Sequence, residues 1–384
     1  MIDNRKNRMY ALTLLCVLVS VIGFGQTSNA GKKPTPLFPD DLIKPRMRVI
    51  IDNDFSGDPD GLFQLVHHLL SPSVEIRAII GSHLKAGDPF DPSNVTAANA
   101  KKKVEEVLVL MNLGKSYPVY QGSNMALEND SVPQPSEAAN AIIQEAMRND
   151  TKLPLYIVCG AGLTDLASAL LMKPEIASRL TLIWIGGPEY VELASPPPGY
   201  TSLEYNLGID IKAGQVVFNK SRIPVWQIPR SSYRQVLIPY SSLMLKVKGQ
   251  GKIGGYLAGS LERIMKLAIQ YNFNIGETYV IGDSPLVLLT ALQSSFEADP
   301  SSSRYVLRPA PLINNQGLYE VNTTGRNIRV YTDLDCHLLL EDLFSKLSLF
   351  NKASESTSAT AYYASKKNKG GISNDSSFDN SIAN

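Results

Sequence analysis

Five short apolar runs, at residues 47–52, 74–81, 153–160, 181–186 and 223–227, recur along the chain, and segments with helical spacing separate them. Leu62, Leu65, Val66, Leu69 and Leu70 follow the first run at helical intervals, and residues 94–112 form a long amphipathic pattern after the second. Helical patterns at 163–171 and 211–219 follow the third and fourth. Residues 241–293 read as mostly helical, 303–332 as strand-like, and 336–347 as a last helix. Strands this short and this apolar are buried on both faces, and helical crossovers between them keep neighbours parallel. The expected class is therefore α/β, with a mostly parallel central sheet covered by helices on both faces. Ligands of such sheets bind beyond the carboxyl ends of the strands, so the residues just after each run carry the functional information.

The chain ends read differently. Arg5, Lys6 and Arg8 precede an uncharged run of 15 residues, 10–24, and Ser28-Asn29-Ala30 offers small residues at cleavage spacing. That pattern predicts a secretory signal peptide over residues 1–30 and an exported, periplasmic or secreted protein. The run falls short of the roughly 20 residues a helix needs to span a bilayer, so no membrane span is expected once the signal is removed. A lipoprotein signal at Cys16 is disfavoured, because the apolar run continues past it and Leu15 precedes it. Residues 31–45 read as a proline-rich linker, 46–350 as one domain, and 351–384 as a polar, disordered tail. With a formal net charge of +1, bulk electrostatics support no nucleic-acid partner. Homo-oligomerisation is left open. Of the cysteines beyond the signal, Cys159 ends an apolar run and reads as a small buried thiol rather than half of a disulfide with Cys336.

Directly after the first run comes Asp52-Asn53-Asp54-Phe55-Ser56-Gly57-Asp58-Pro59-Asp60-Gly61, with four carboxylates in nine residues. Helix capping accounts for Asp58 or Asp60, and Pro59 suits a first helical turn. Capping leaves Asp52 and Asp54 unexplained at the end of a buried strand. Two carboxylates about 4 Å apart repel by roughly 4 kcal/mol at an effective dielectric near 20. Such a group either takes up protons or shares a cation. An all-oxygen donor set suits Ca²⁺ or Mg²⁺, although the spacing is not that of an EF-hand.

The segment Val49-Ile50-Ile51-Asp52-Asn53-Asp54 with the acidic turn after it resembles the N-terminal signature of the inosine-uridine-preferring nucleoside hydrolases. Later segments match that family in order. They are Ala78-Ile79-Ile80-Gly81 with Thr96, Asn99 and Ala100; Pro118 to Gly122; Gly160-Ala161-Gly162-Leu163-Thr164-Asp165; Ile185-Gly186-Gly187; Glu204-Tyr205-Asn206 with Asp210; and Gly282-Asp283-Ser284-Pro285-Leu286. The resemblance spans about residues 47–293 and implies a nucleoside-hydrolase-like fold.

It also implies chemistry: hydrolysis of the N-glycosidic bond of a nucleoside or related N-riboside with a Ca²⁺-bound water. The metal ligands carried over are Asp54, Asp60, Asp283 and a carbonyl near Gly160, with Asp52 in support, and Asp54 doubles as general base. Asp58, His83, Glu204 and Asn206 fall at substrate-binding positions. Three departures stand out. A pair of adjacent aspartates enters the helix in the family, where this chain has Asp60-Gly61 or Asp58-Pro59. The histidine that helps the base depart is replaced by Gly282. The sugar-binding asparagine after the second strand is replaced by His83, which can still donate to a hydroxyl.

Two rival readings remain at this point. One is a haloacid-dehalogenase-type phosphatase, which also places Asp-x-Asp after a first strand but gives Glu204-Tyr205-Asn206 no role. The other is an exported ribose or nucleoside binder with impaired catalysis, supported by Gly61 and Gly282. Trp226, Arg230 and Tyr233 offer a base-stacking wall by their strand-end position. His67 and His68 read as packing or surface residues of the first helix rather than ligands.

Overall fold

The structure, a computed structural model, describes residues 37–39, 42–200, 203–294 and 302–369, with side chains as far as residue 356. The expected signal peptide at 1–30 lies outside the described residues, as do 370–384. All that follows concerns the compact unit Gly31–Asn384.

The elements run β1 (Met47–Asn53), α1 (Asp60–Leu69), β2 (Val74–Gly81), α2 (Thr96–Leu110), β3 (Val119–Gln121), α3 (Glu137–Ala146), β4 (Leu155–Cys159), α4 (Thr164–Met172) and β5 (Thr181–Ile185). Then come α5 (Tyr205–Ile209), α6 (Ile211–Gln215), β6 (Val225–Ile228), α7 (Arg230–Tyr233), β7 (Leu237–Pro239), α8 (Tyr240–Ser242), α9 (Gly251–Gln270), β8 (Thr278–Val280) and α10 (Pro285–Leu288). The strands β9 (Arg304–Pro309), β10 (Leu312–Ile313), β11 (Tyr319–Glu320) and β12 (Asn327–Asp333) precede the last helix, α11 (Cys336–Lys369). That helix runs through the first half of the segment read as a tail. The helix expected at 211–219 is α6 followed by a wider π-helical turn, Val216–Lys220.

Eight strands form the main sheet in the order β3-β2-β1-β4-β5-β6-β12-β9. Every neighbouring pair is parallel except β12 with β9. Strand alternation sorts the side chains of β1 to the two faces. Val49 and Ile51 enter the core under α1, α2, α9, α10 and α11. Ile50 enters the core under α3, α4, α5 and α6. Both faces are therefore covered, as expected for a parallel sheet. The order turns back between β1 and β4, from which the chain builds outward in both directions, and such a switch point opens a crevice at the carboxyl ends of the two strands. Among the described residues no helix is long and apolar enough to cross a membrane.

Candidate active site

The end of β1 sends successive side chains to opposite faces. Asp52, fully buried, accepts a hydrogen bond from the Ser82 hydroxyl through Oδ1. Its Oδ2 has no hydrogen-bond partner among the described residues. Burial, then the charge of Asp165, pushes its pKa well above the carboxylate range, against the pull of Ser82. Asn53 points the other way. Its Nδ2 donates to Asp283 Oδ2 at 2.9 Å and lies 3.4 Å from Gln64 Oε1, while its Oδ1 accepts from the Asp54 N–H at 2.9 Å.

Space for that amide comes from two glycines. A β-carbon at position 61 would lie 2.9 Å from Asn53 Nδ2, and one at 160 would lie 2.6 Å from it and 2.8 Å from Asp283 Cγ. Gly61, read in the sequence as a lost carboxylate, is thus where Asn53 fits. A polar file continues inward from Asn53. The Gln64 amide meets His68 Nδ1, and His68 Nε2 is 3.0 Å from Thr290 Oγ1, which donates to the Leu286 carbonyl at 2.6 Å. Thr290 spends its hydrogen on that carbonyl, so His68 Nε2 is the donor and Nδ1 accepts from Gln64. Burial, with His67 and Lys346 nearby, holds the His68 pKa well below its usual value, consistent with a neutral ring. His67 faces Asp342 at 2.7 Å. Both histidines are buried packing residues, as expected, with polar partners inside the fold.

Across the crevice, Asp54, Asp58, Asp60 and Asp283 act on one another. Burial, then Asp283, Asp58 and Asp88, raises Asp54 well above the carboxylate range. Burial, then Asp283, Asp58 and Asp54, does the same to Asp60. Burial raises Asp58 to about 6, although Tyr279 donates to its Oδ2 at 2.8 Å. Burial raises Asp283 to about 7, although Asn53 and Asp60 hydrogen-bond to it. Asp58 and Asp60 also serve the helix start: Asp58 Oδ1 accepts the Asp60 N–H at 3.2 Å and Asp60 Oδ1 the Gly61 N–H at 2.9 Å.

The chemistry of this donor set fits a hard divalent cation. It is oxygen only, buried, and short of positive charge. Among the described residues no three His, Cys, Asp or Glu side chains close on one point as a finished cage. In the ion-free protein the raised carboxyls keep protons that the unfolded chain releases near about pH 4. The folded state then binds more protons than the unfolded one up to about pH 7, and stability falls as pH rises through that window. Ion-free protein is expected to melt several degrees higher at about pH 5 than at about pH 8, with calcium narrowing the gap. A melting temperature that stays level across the window would contradict this.

The remaining sequence-predicted residues lie at neighbouring strand ends. Glu204 caps α5, accepting from the N–H groups of Asn206 (3.1 Å) and Leu207 (3.0 Å), from the Gly187 N–H (2.7 Å) and from the Tyr233 hydroxyl (2.9 Å). Asn206 Nδ2 donates to the carbonyls of Gly160 (3.0 Å) and Ile185 (2.8 Å), which ties the ends of β4 and β5 together. His83 is buried, with Nδ1 2.9 Å from the Leu84 carbonyl and Nε2 2.9 Å from Thr164 Oγ1. Thr164 donates in turn to Asp210 at 2.7 Å. The structure therefore brings Asp54, Asp60, Asp283 and Gly160 to one crevice and sets Asp52 beside Ser82 and Asp165.

A cavity of about 270 Å³ opens beside the crevice, lined by Lys85, Tyr200, Leu203, Glu204, Tyr205, Gly208, Arg230 and Tyr233. Tyr205 donates to Asp88, and its phenol is pushed up by burial and by the charges of Asp54, Asp88 and Asp58. The Tyr233 ring fills the space a side chain at 282 would enter, its Cδ2 only 3.2 Å from where a β-carbon would sit. Arg230 is paired with Glu189 at 2.7 and 2.6 Å, both nearly inaccessible. Of the proposed stacking wall, Arg230 and Tyr233 line this cavity, whereas Trp226 packs with Tyr156 and under Arg329. Sequence reasoning missed Asn53, Gln64, Asp88 and Tyr279. Strand alternation offered a signal for Asn53 alone, since it must face away from Asp52.

The model of the family described as inosine-uridine preferring nucleoside hydrolase matches residues 49–341. The fold is similar to that of a purine-preferring ribonucleoside hydrolase from Gardnerella vaginalis, with a TM-score of 0.61 and 18% identity over 80% of this chain and 99% of that one. It is similar also to an inosine-uridine preferring nucleoside hydrolase from Bacillus anthracis, with a TM-score of 0.58 and 17% identity over 79% of this chain and 99% of that one. A plant nucleoside hydrolase gives 0.59 and 17%, over 79% and 99%. No curated protein sequence matches the chain. At these identities the structural likeness speaks for the fold, and the family match carries the rest.

Proposed function

The chain belongs to the inosine-uridine preferring nucleoside hydrolase family, whose members are N-glycosyl hydrolases, and from that premise we propose that it splits ribose from a nitrogen heterocycle with calcium as cofactor. The observation that supports this best is the set of carboxylates at the β1/β4 switch point, each raised above its usual range first by burial and then by neighbouring acids. Asp54, Asp60 and Asp283 would hold the ion, with the Gly160 carbonyl and Asp52 in support. When bound, the ion acidifies a water and anchors the ribose hydroxyls.

The residues of the chain do the rest. Ionised Asp54 takes the proton that the water loses as its oxygen bonds to C1′. The C1′–N bond breaks, and its electron pair departs with the heterocycle. Positive charge develops on the sugar meanwhile, and the surrounding carboxylates lower its energy without reorganising. Glu204, fixed by four donors, and Asn206, fixed on two carbonyls, shape the ribose seat, with Asp58 and His83 at its edges. Arg5, Lys6 and Arg8 before an apolar run support export, so we place the working enzyme in the periplasm or outside the cell.

The test is release of free ribose from inosine, uridine and guanosine, with calcium and with a chelator. Turnover that falls at least about 100-fold on chelation and returns with calcium is expected, since the ion serves both the water and the sugar. Release indifferent to the chelator would remove the ion from the reading. No release of ribose from any riboside at millimolar calcium would remove the activity.

A further inference from the structure

An N-riboside with a neutral heterocycle leaves readily only if that heterocycle takes a proton as the bond breaks. The cavity beside the acidic crevice has room for such a ring, and most of the side chains that line it have no proton to spare. The hydroxyls of Tyr205 and Tyr233 already donate to Asp88 and Glu204. Glu204 is spent accepting four hydrogen bonds. Arg230 is held on Glu189, and a guanidinium does not give up a proton in a protein. Beyond the lining, position 282 is a glycine, and His83 turns its two ring nitrogens to the Leu84 carbonyl and to Thr164. Lys85 and Tyr200 remain. The Lys85 ammonium has no hydrogen-bond or ion-pair partner among the described residues.

The turn that carries Lys85 is fixed against the crevice on both sides. Before it, the Leu84 N–H donates to Thr96 Oγ1 at 3.0 Å. The Leu84 side chain fills the space over Gly57, its Cδ2 2.6 Å from where a β-carbon there would sit. Gly57 belongs to the acidic turn, and its N–H donates to the Asp54 carbonyl at 2.8 Å. After it, the Asp88 N–H donates to the Lys85 carbonyl at 3.1 Å, and Asp88 accepts the hydroxyl of Tyr205 from the cavity wall. The backbone at 85 is thus tethered between the Asp54 turn and that wall. From there a flexible four-carbon stem carries three N–H donors to a ring in the cavity.

We propose that Lys85 gives the departing heterocycle its proton. The proposal rests on the N-ribosidase reading and adds a catalytic residue to it. The C1′–N bond breaks, its electron pair stays with the heterocycle, and a proton moves from Lys85 Nζ to a nitrogen or oxygen of that ring. The water oxygen bonds to C1′, and the proton it loses passes to Asp54. A neutral Lys85 amine and a protonated Asp54 are left, and exchange with solvent restores both.

The full chain, loaded with calcium, is assayed on inosine, uridine and p-nitrophenyl ribofuranoside, whose leaving phenolate needs no proton. In Lys85→Met the ratio of kcat/KM for inosine to that for the p-nitrophenyl riboside is expected to fall at least about 100-fold, the usual worth of a general acid. The ratio for uridine falls with it. Lys85 is exposed, so the variant folds as the parent does. Lys85→Ala regains inosine hydrolysis when ethylammonium is added, and the unsubstituted chain gains nothing from it. Tyr200→Phe, which removes the other hydroxyl, keeps the ratio. A ratio in Lys85→Met within about 3-fold of the parent's, less than general acids supply, overturns the proposal, as does a Tyr200→Phe variant that loses what Lys85→Met keeps. Equal losses on inosine and the p-nitrophenyl riboside would place Lys85 on the sugar or the fold, and this proposal alone falls. If the unsubstituted chain cleaves none of the three, the N-ribosidase reading falls and takes the proposal with it.

Discussion

Asp54→Ala is expected to abolish measurable ribose release while the ion-free protein melts no lower than the parent. Removing a general base costs about 10²- to 10⁴-fold in rate, and here the same carboxylate is also proposed to hold the ion, so the loss lies at the upper end. Stability moves the other way. Asp54 is held above its usual range by burial and by Asp283, Asp58 and Asp88, so deleting it relieves repulsion that the ion-free fold carries. The two readouts together separate a lost catalytic group from a damaged fold. Calcium should raise the melting temperature of the parent and raise that of the variant much less. Turnover near the parent's rate would take Asp54 out of the mechanism.

Asn53→Asp is expected to destabilise the protein by about 3 kcal/mol at pH 8, in spite of being almost isosteric. The amide donates to Asp283 and lies against Gln64 Oε1. A carboxylate there donates nothing and adds a buried charge beside Asp283, and breaking a buried charged pairing costs about 3–5 kcal/mol. The new carboxyl is buried among other acids, so its folded pKa lies above its unfolded one. Folding then holds a proton that unfolding releases, and the penalty grows as pH rises and shrinks toward pH 5. Thermal melts of parent and variant at the two pH values measure it. Equal melting temperatures at pH 8 would mean that the Asn53 amide holds nothing in place.

The strand pattern of the chain was legible because burial on both faces writes unbroken apolar runs. The expected strands at 74–81 and 181–186 differ from β2 and β5 by no more than one residue. The short strands were not legible as strands: β3, β7 and β8 have three residues each, too few to show a period. The acidic crevice was legible because four carboxylates beside an apolar run have no cheap structural explanation. What stayed hidden was contact across sequence distance. Gly61 looked like a missing ligand until Asn53 was seen to fill its place. Glu204 reads in the sequence as a substrate-binding position, and its commitment to four donors depends on Gly187 and Tyr233, which local spacing does not reveal. Trp226 was placed by its strand position, which indicates an end of the sheet but not which neighbours crowd there.

The Asn53–Asp283 hydrogen bond joins residues 230 positions apart. A growing chain has the first of the two long before the second, so the crevice takes its final form only after Asp283 has been added and β1 has closed on it.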